Sequence, residues 1–350
     1  MRQPITFLAA AAAALLIVSG AAAGDFNDAT IEDVKHPAWF KESFFNLPDD
    51  LEEARKAGKQ GLLLFFSTQG CSYCHLFIAK SLGDPVIEEL LRAHFDTIGM
   101  EIFDDAEMTD FQGKTMRVKE FALREGAEFA PTLLFYDTSG KLVLRLSGYY
   151  EPARFDRALN YLVGRHYEQV PFRNWLARQE PSERGVVHPK GLIPDPLFAH
   201  PPFALDRTRV KAQRPLVVLF ESADCPSCER FHAEVLSDSQ VREKLRGFDV
   251  VRLDAGDSST AVLTPGGRRT APAAWMRTLG FTQLPALAFF DEGGVEVLQT
   301  DALVLKNRMM NSLGFVTERA YEKGWTYQRF ARSQSIAKAA VKTDAAETRP

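Results

Sequence analysis

The 350-residue sequence predicts an α/β protein built from two tandem copies of one domain, each a central mixed β-sheet flanked by helices. Three observations carry this. First, "LLLFFSTQGCSYCHLF" at 62–77 returns as "PLVVLFESADCPSCERF" at 215–231. A fixed offset of 154 takes Cys71 to Cys225, Cys74 to Cys228, Leu82 to Leu236 and Asp84 to Asp238. The same offset takes Gly126 to Gly280, Pro131 to Pro285, Asp137 to Asp291 and Gly140 to Gly294. A repeat of this length is a duplicated domain rather than a solenoid unit. Second, both copies alternate strand-like apolar runs with helical stretches in the same order. Third, the chain is long for one domain and comfortable for two.

Each element has a local reason. Residues 62–67 and 216–221 are continuous apolar runs, suited to strands buried on both faces. A cysteine pair and a helix follow, with Leu76, Phe77, Ala79 and Leu82 as apolar positions. In "GDPVIEELL", Asp84 caps a second helix and Pro85 fits its first turn. "FDTIGMEI" and "FDVVRLDA" read as the next strands, and "TMRVKEFALREG" and "APAAWMRTLG" as helices. "PTLLFYDTSGKLVLRLSG" then reads as a hairpin: Leu142, Leu144 and Leu146 alternate, and 137–140 supplies the turn. "PALAFFDEGGVEVLQT" repeats it, turning at 291–294. Final helices fall near 152–167 and 306–321. The order is βαβαββα, with a further helix over 49–58 ahead of the first strand.

These elements predict domains at 24–169 and 210–330. The Pro- and Gly-rich 170–209 reads as a linker, or as an extended segment packed on a domain surface. The tail 331–350 lacks an apolar face and is expected to be loose. At the start, one arginine precedes an apolar run from Phe7 to Val18, followed by Ala21-Ala22-Ala23. Residues 1–23 therefore read as a secretory signal, the run being short for a membrane span, with an uncleaved anchor as the alternative. A protein beginning near Gly24 would work in the periplasm, where disulfides persist, with no stable membrane insertion. The net charge of −4 and the lack of a basic block argue against a nucleic-acid partner.

The four cysteines form two tight pairs, with none left for a long-range bridge. Cys71 and Cys225 each fall between a strand end and a helix start. There the unpaired N–H groups and the helix dipole favour a thiolate. Cys74 and Cys228 lie one turn further in, placed to resolve a mixed disulfide on the first sulfur. Other chemistries compete on the residues alone. A permanent structural disulfide would make the domains binding or assembly modules, though closing so short a loop stabilises little. Zinc on four cysteines would require the pairs to meet across domains. Copper would need one pair with His75 or His232 nearby. "CSYCH" satisfies the haem-attachment pattern, but Glu229 replaces the histidine in the second copy.

"FFSTQGCSYCH" with "FAPTLLFYD", and "LFESADCPSCE" with "QLPALAFFD", resemble the thioredoxin superfamily over most of 45–167 and 210–323. The likeness is strongest to bacterial extracytoplasmic thioredoxin-like proteins, including the type associated with sulfur-oxidation gene clusters. It implies a thiol–disulfide oxidoreductase, reducing in direction, that needs no organic cofactor. Its partners would be client proteins or small thiols with disulfides, and a membrane protein as electron donor. Carried over, Pro131 and Pro285 are the cis-prolines shaping each substrate groove; each lies 57 positions after its second cysteine. The family's tryptophan before the pair is replaced by Gly70 and Asp224, and its internal Gly-Pro by Ser72-Tyr73 and Pro226-Ser227. Its buried acid is replaced by Phe65 and Leu219. Glu221 is a candidate substitute for that acid, or a strand-end surface residue. Tyr73 and His75 are further candidate modulators of the first pair.

Overall fold

Seven consecutive buried residues make Gly61–Ser67 the natural centre of the first sheet. The computed structural model describes residues 28, 34–127, 129–179, 191–192 and 194–347. The signal segment at 1–23 lies outside them. The first domain runs α1 (Leu47–Lys56), β1 (Gly61–Ser67), α2 (Ser72–Lys80), α3 (Pro85–His94) and β2 (Phe95–Glu101). It continues through β3 (Glu107–Thr109), β4 (Thr115–Arg117), α4 (Val118–Arg124), β5 (Thr132–Asp137), β6 (Leu142–Ser147), α5 (Pro152–Val163) and α6 (Phe172–Gln179). Its sheet has the order β2-β1-β5-β6. β1 is parallel to β2 and antiparallel to β5, and β5–β6 is the expected hairpin.

The second domain repeats the plan. It comprises β7 (Leu216–Glu221), α7 (Pro226–Phe231), α8 (Ser239–Leu245), β8 (Asp249–Asp254), β9 (Val262–Leu263) and β10 (Arg269–Thr270). Then come α9 (Pro272–Thr278), β11 (Ala286–Phe290), β12 (Glu296–Thr300), α10 (Lys306–Thr317) and α11 (Tyr327–Glu347). The sheet order β12-β11-β7-β8 matches the first strand for strand. Strand alternation divides its apolar side chains between two layers. Val217, Leu219, Leu287 and Phe289 pack toward Phe231, Val241 and Leu313. Val218, Phe220, Ala286 and Ala288 pack against Trp275 and Phe281.

The local signals act as the sequence implies. Asp84 Oδ1 accepts from the Val86 and Ile87 N–H groups at 2.9 and 3.3 Å, and Asp238 does the same for Gln240 and Val241. Asp137 Oδ1 accepts from Ser139 and Lys141 N–H, and Gly140 takes the left-handed φ of 77° that closes the turn.

Three segments depart from expectation. Residues 115–117 are not helical: they pair with 107–109 around a turn held by Asp110 and Gly113. Part of 170–209 is α6, whose Phe172, Trp175 and Leu176 join the first core, while Phe198 and Leu205 are buried against the second domain. The described parts of the region are therefore packed on the domains, the second of the two readings, and the departure is the helix α6 itself. Finally, 331–347 continues α11 where a loose tail is expected. The anchoring turn comes just before it, with Tyr327 and Phe330 in the second core. From that nucleus an alanine-rich sequence propagates a helix without needing a face of its own.

His36 stacks on Phe40 and meets Phe65 edge-on, with Nε2 3.1 Å from Ser67 Oγ. Desolvation of the imidazole against these rings lowers its pKa from 6.5, so the unfolded chain binds its proton more readily. Stability is therefore full above 6.5 and falls as pH drops from there toward the lower folded value. Urea midpoints measured across this range should fall on acidification in the parent and flatten in His36→Phe. Parallel curves would refute the assignment.

Candidate active sites: two helix-capping cysteine pairs

Each sheet delivers a cysteine to the N-terminus of a helix. After β1, a turn through Gly70 sets Cys71 as the N-cap of α2; after β7, Cys225 caps α7. The cap is made by sulfur. Cys71 Sγ accepts the Cys74 N–H at 3.1 Å, and Cys225 Sγ accepts the Cys228 N–H at 3.1 Å. A sulfur already placed to receive an amide N–H, at the positive end of the helix dipole, is stabilised as a thiolate on reduction. Both pairs are closed as disulfides, with Cα–Cα separations of 5.3 and 5.1 Å. The leading sulfurs belong to residues 8% and 6% exposed; Cys74 and Cys228 are 0% and 2% exposed. An incoming thiolate or disulfide thus meets Cys71 or Cys225 first.

The two prolines stand where the resemblance places them. Ala130–Pro131 and Leu284–Pro285 are cis peptide bonds, entering β5 and β11. Ala130 and Cys71 line one small cavity. At the second pair, Ser227 Oγ donates to the Leu284 carbonyl at 2.8 Å and stands 3.3 Å from Cys225 Sγ. One hydroxyl therefore ties the second loop to its redox pair.

The candidate modulators separate. His75 is exposed in the first turn of α2. Glu221 is a buried acid rather than a surface one: it meets His232 Nε2 at 2.8 and 3.0 Å and lies 3.7 Å from Arg252. Tyr73 is wholly buried in a polar junction between domains. Its hydroxyl donates to Asp28 Oδ2 at 2.8 Å and accepts the Leu305 N–H at 3.1 Å. Burial holds this phenol well above its ordinary range. Asp28 also accepts the N–H groups of Asn307 and Arg308, capping α10 from the far end of the chain. Sequence reading missed Asp28 and Arg308 because nothing local links residues so far apart; Ser227, inside the motif, was in view. Among the described residues, no group of three or more His, Cys, Asp or Glu side chains converges to hold a metal. No helix there is long and apolar enough to cross a membrane.

Tyr73→Phe leaves the Leu305 N–H and the Asp28 carboxylate each short of a buried partner. The expected cost is about 1–3 kcal/mol, read as a lowered unfolding midpoint. An unchanged midpoint would mean that water replaces the hydroxyl without loss.

Comparison with known proteins agrees with the duplicated architecture. The family model for the thioredoxin-like domain matches twice, at residues 47–163 and 204–317. A comparison with curated protein sequences finds no significant match. Among solved structures, a thioredoxin-fold protein from Helicobacter pylori is similar at 22% identity, covering 40% of this chain and 88% of its own, with a TM-score of 0.33. A thioredoxin from Thermus thermophilus is similar at 24% identity over 34% of this chain and 85% of its own, TM-score 0.28. The reduced DsbD C-terminal domain from Neisseria meningitidis is similar at 16% identity over 29% and 81%, TM-score 0.23. With two matched domains spanning more than half its length, each carrying a Cys-x-x-Cys disulfide at a helix N-terminus, the chain belongs to the thioredoxin-like family and is a thiol–disulfide oxidoreductase.

Proposed function

We propose that this protein reduces disulfides of client proteins or small thiols outside the cytoplasm, through two dithiol sites. The supporting observation is the repeated sulfur cap, with each leading cysteine beside a proline loop. Cys71 and Cys225 attack as thiolates, breaking the client S–S bond and releasing one client sulfur as a thiolate that takes a proton. Cys74 and Cys228 then attack the mixed disulfide and release the second client sulfur. Two electrons pass to the client, and the pair is left oxidised. A dithiol donor must restore it; the secretory signal and the resemblance to periplasmic, sulfur-oxidation-associated proteins favour a membrane-borne one. Glu221, buried with His232, is proposed to take up protons near the second pair in place of the family's acid.

The direction is tested by the reduction potential of each pair, measured in full-length chains that keep only one pair. A reductase requires both to lie well below a glutathione buffer near −200 mV, roughly toward −270 mV. A potential near −120 mV would instead identify an oxidase. Detection of the cleaved chain in the periplasmic fraction tests the location, and retention in the cytosol would reject it.

A further inference from the structure

The two sulfurs are equally reachable, yet the loops beside them are not. At the first site Phe129, Ala130 and Pro131 are all buried, whereas at the second Gln283, Leu284 and Pro285 are half-buried. The C-terminal domain makes the difference. Phe129 leaves its own domain and joins the second domain's core, stacked on Tyr327 at 4.6 Å between ring centres. Gln328 Oε1 accepts the Ala130 N–H at 3.1 Å, and Arg308 Nη2 donates to the Ala130 carbonyl at 3.1 Å. Both backbone polar groups of one residue are thus taken by side chains of α11 and α10. The Arg308 guanidinium is itself fixed, 3.4 Å from the centre of the Tyr73 ring and bonded to the Leu303 carbonyl.

An extended polypeptide that docks beside a strand uses such backbone N–H and C=O groups for β-type pairing. At Ala130 that pairing is already occupied, and what remains over Cys71 is a cavity of about 60 Å³ lined by Arg308, Gln328 and Arg332. At the second site the corresponding Leu284 carbonyl accepts from Ser227 of its own motif rather than from another domain, and Ser227, Leu284 and Pro285 line a cleft of about 210 Å³ together with Tyr149 and Arg154.

We propose that Arg308 and Gln328 set the substrate class of the first site. By holding the Ala130 backbone they reserve Cys71 for small disulfides, while extended protein clients are served at Cys225. The proposal rests on the exchange reading above and assigns the two sites different clients. The electron count is that of ordinary exchange at either pair, with dithiothreitol as the dithiol reductant in the test.

The test compares two full-length chains, Cys225→Ser/Cys228→Ser and Cys71→Ser/Cys74→Ser, each reduced and offered insulin or oxidised glutathione. The insulin-to-glutathione rate ratio should be at least about tenfold lower for the chain retaining Cys71. Adding Arg308→Ala and Gln328→Ala to that chain should raise its ratio by about fivefold or more. Equal ratios in the two single-pair chains overturn the proposal, and that comparison leaves both buried side chains intact. A ratio unmoved by the added substitutions, in a chain with native circular dichroism, overturns the role of Arg308 and Gln328. If neither chain reduces either compound, the exchange reading itself fails and takes this proposal with it.

Discussion

Insulin reduction by the full chain with dithiothreitol falls to the uncatalysed rate when Cys71→Ser and Cys225→Ser are combined. The expected loss is roughly 10³-fold or more, because a serine hydroxyl at neutral pH supplies neither the ionised nucleophile nor a sulfur that can be resolved. Each single substitution leaves the other capped sulfur in place: Cys71→Ser is expected to keep most of the insulin activity and Cys225→Ser to lose most of it. The second cysteines behave differently. In Cys74→Ser or Cys228→Ser the leading sulfur still attacks, but the mixed disulfide persists and is recovered as a covalent adduct on non-reducing gels. Adducts that vanish when the leading cysteine is also replaced establish the order of attack. Equal insulin precipitation with and without the parent protein would defeat the catalytic assignment altogether.

Gly61→Ala collapses the first domain. A Cβ at Gly61 would stand 1.9 Å from the Tyr136 carbonyl oxygen and 2.9 Å from its carbon, at a φ of 154° that side chains rarely adopt. The obstacle is backbone in the central β1–β5 pair, where Gly61 sits opposite Asp137, so no side-chain rotation relieves it. The sheet must shift or the pairing must break, at an expected cost of about 4 kcal/mol or more. Gly58→Ala is the matched control: its φ of 74° is also left-handed, but the added carbon meets open space. Its cost should be about 1–2 kcal/mol. Urea unfolding of the two variants separates steric obstruction from backbone preference, and coincident midpoints would reject the argument.

The fold was legible because its signals are local and were written twice. Apolar strands, Asp-capped helix starts and Asp-to-Gly turns each act within a few residues, and the offset of 154 confirmed them against one another. The 107–117 hairpin escaped notice because its strands are three residues long and half-exposed, too short for alternation to register. The continuation of α11 escaped because its anchors, Tyr327 and Phe330, precede the stretch that lacks an apolar face.

The sequence by itself determined the duplication, the order of the strands and the identity of the four cysteines, since a helix start needs only neighbours in the chain to favour an ionised sulfur. The unequal dipeptides already set the copies apart in sequence, but tertiary structure alone decided which proline loop the other domain covers. Asp28, Tyr73, Ala130, Arg308 and Gln328 lie up to 300 positions apart. Hydrogen bonds and ring contacts between such residues arise only once two cores have packed against each other. Periodicity and spacing carry no record of which loop another domain will cover.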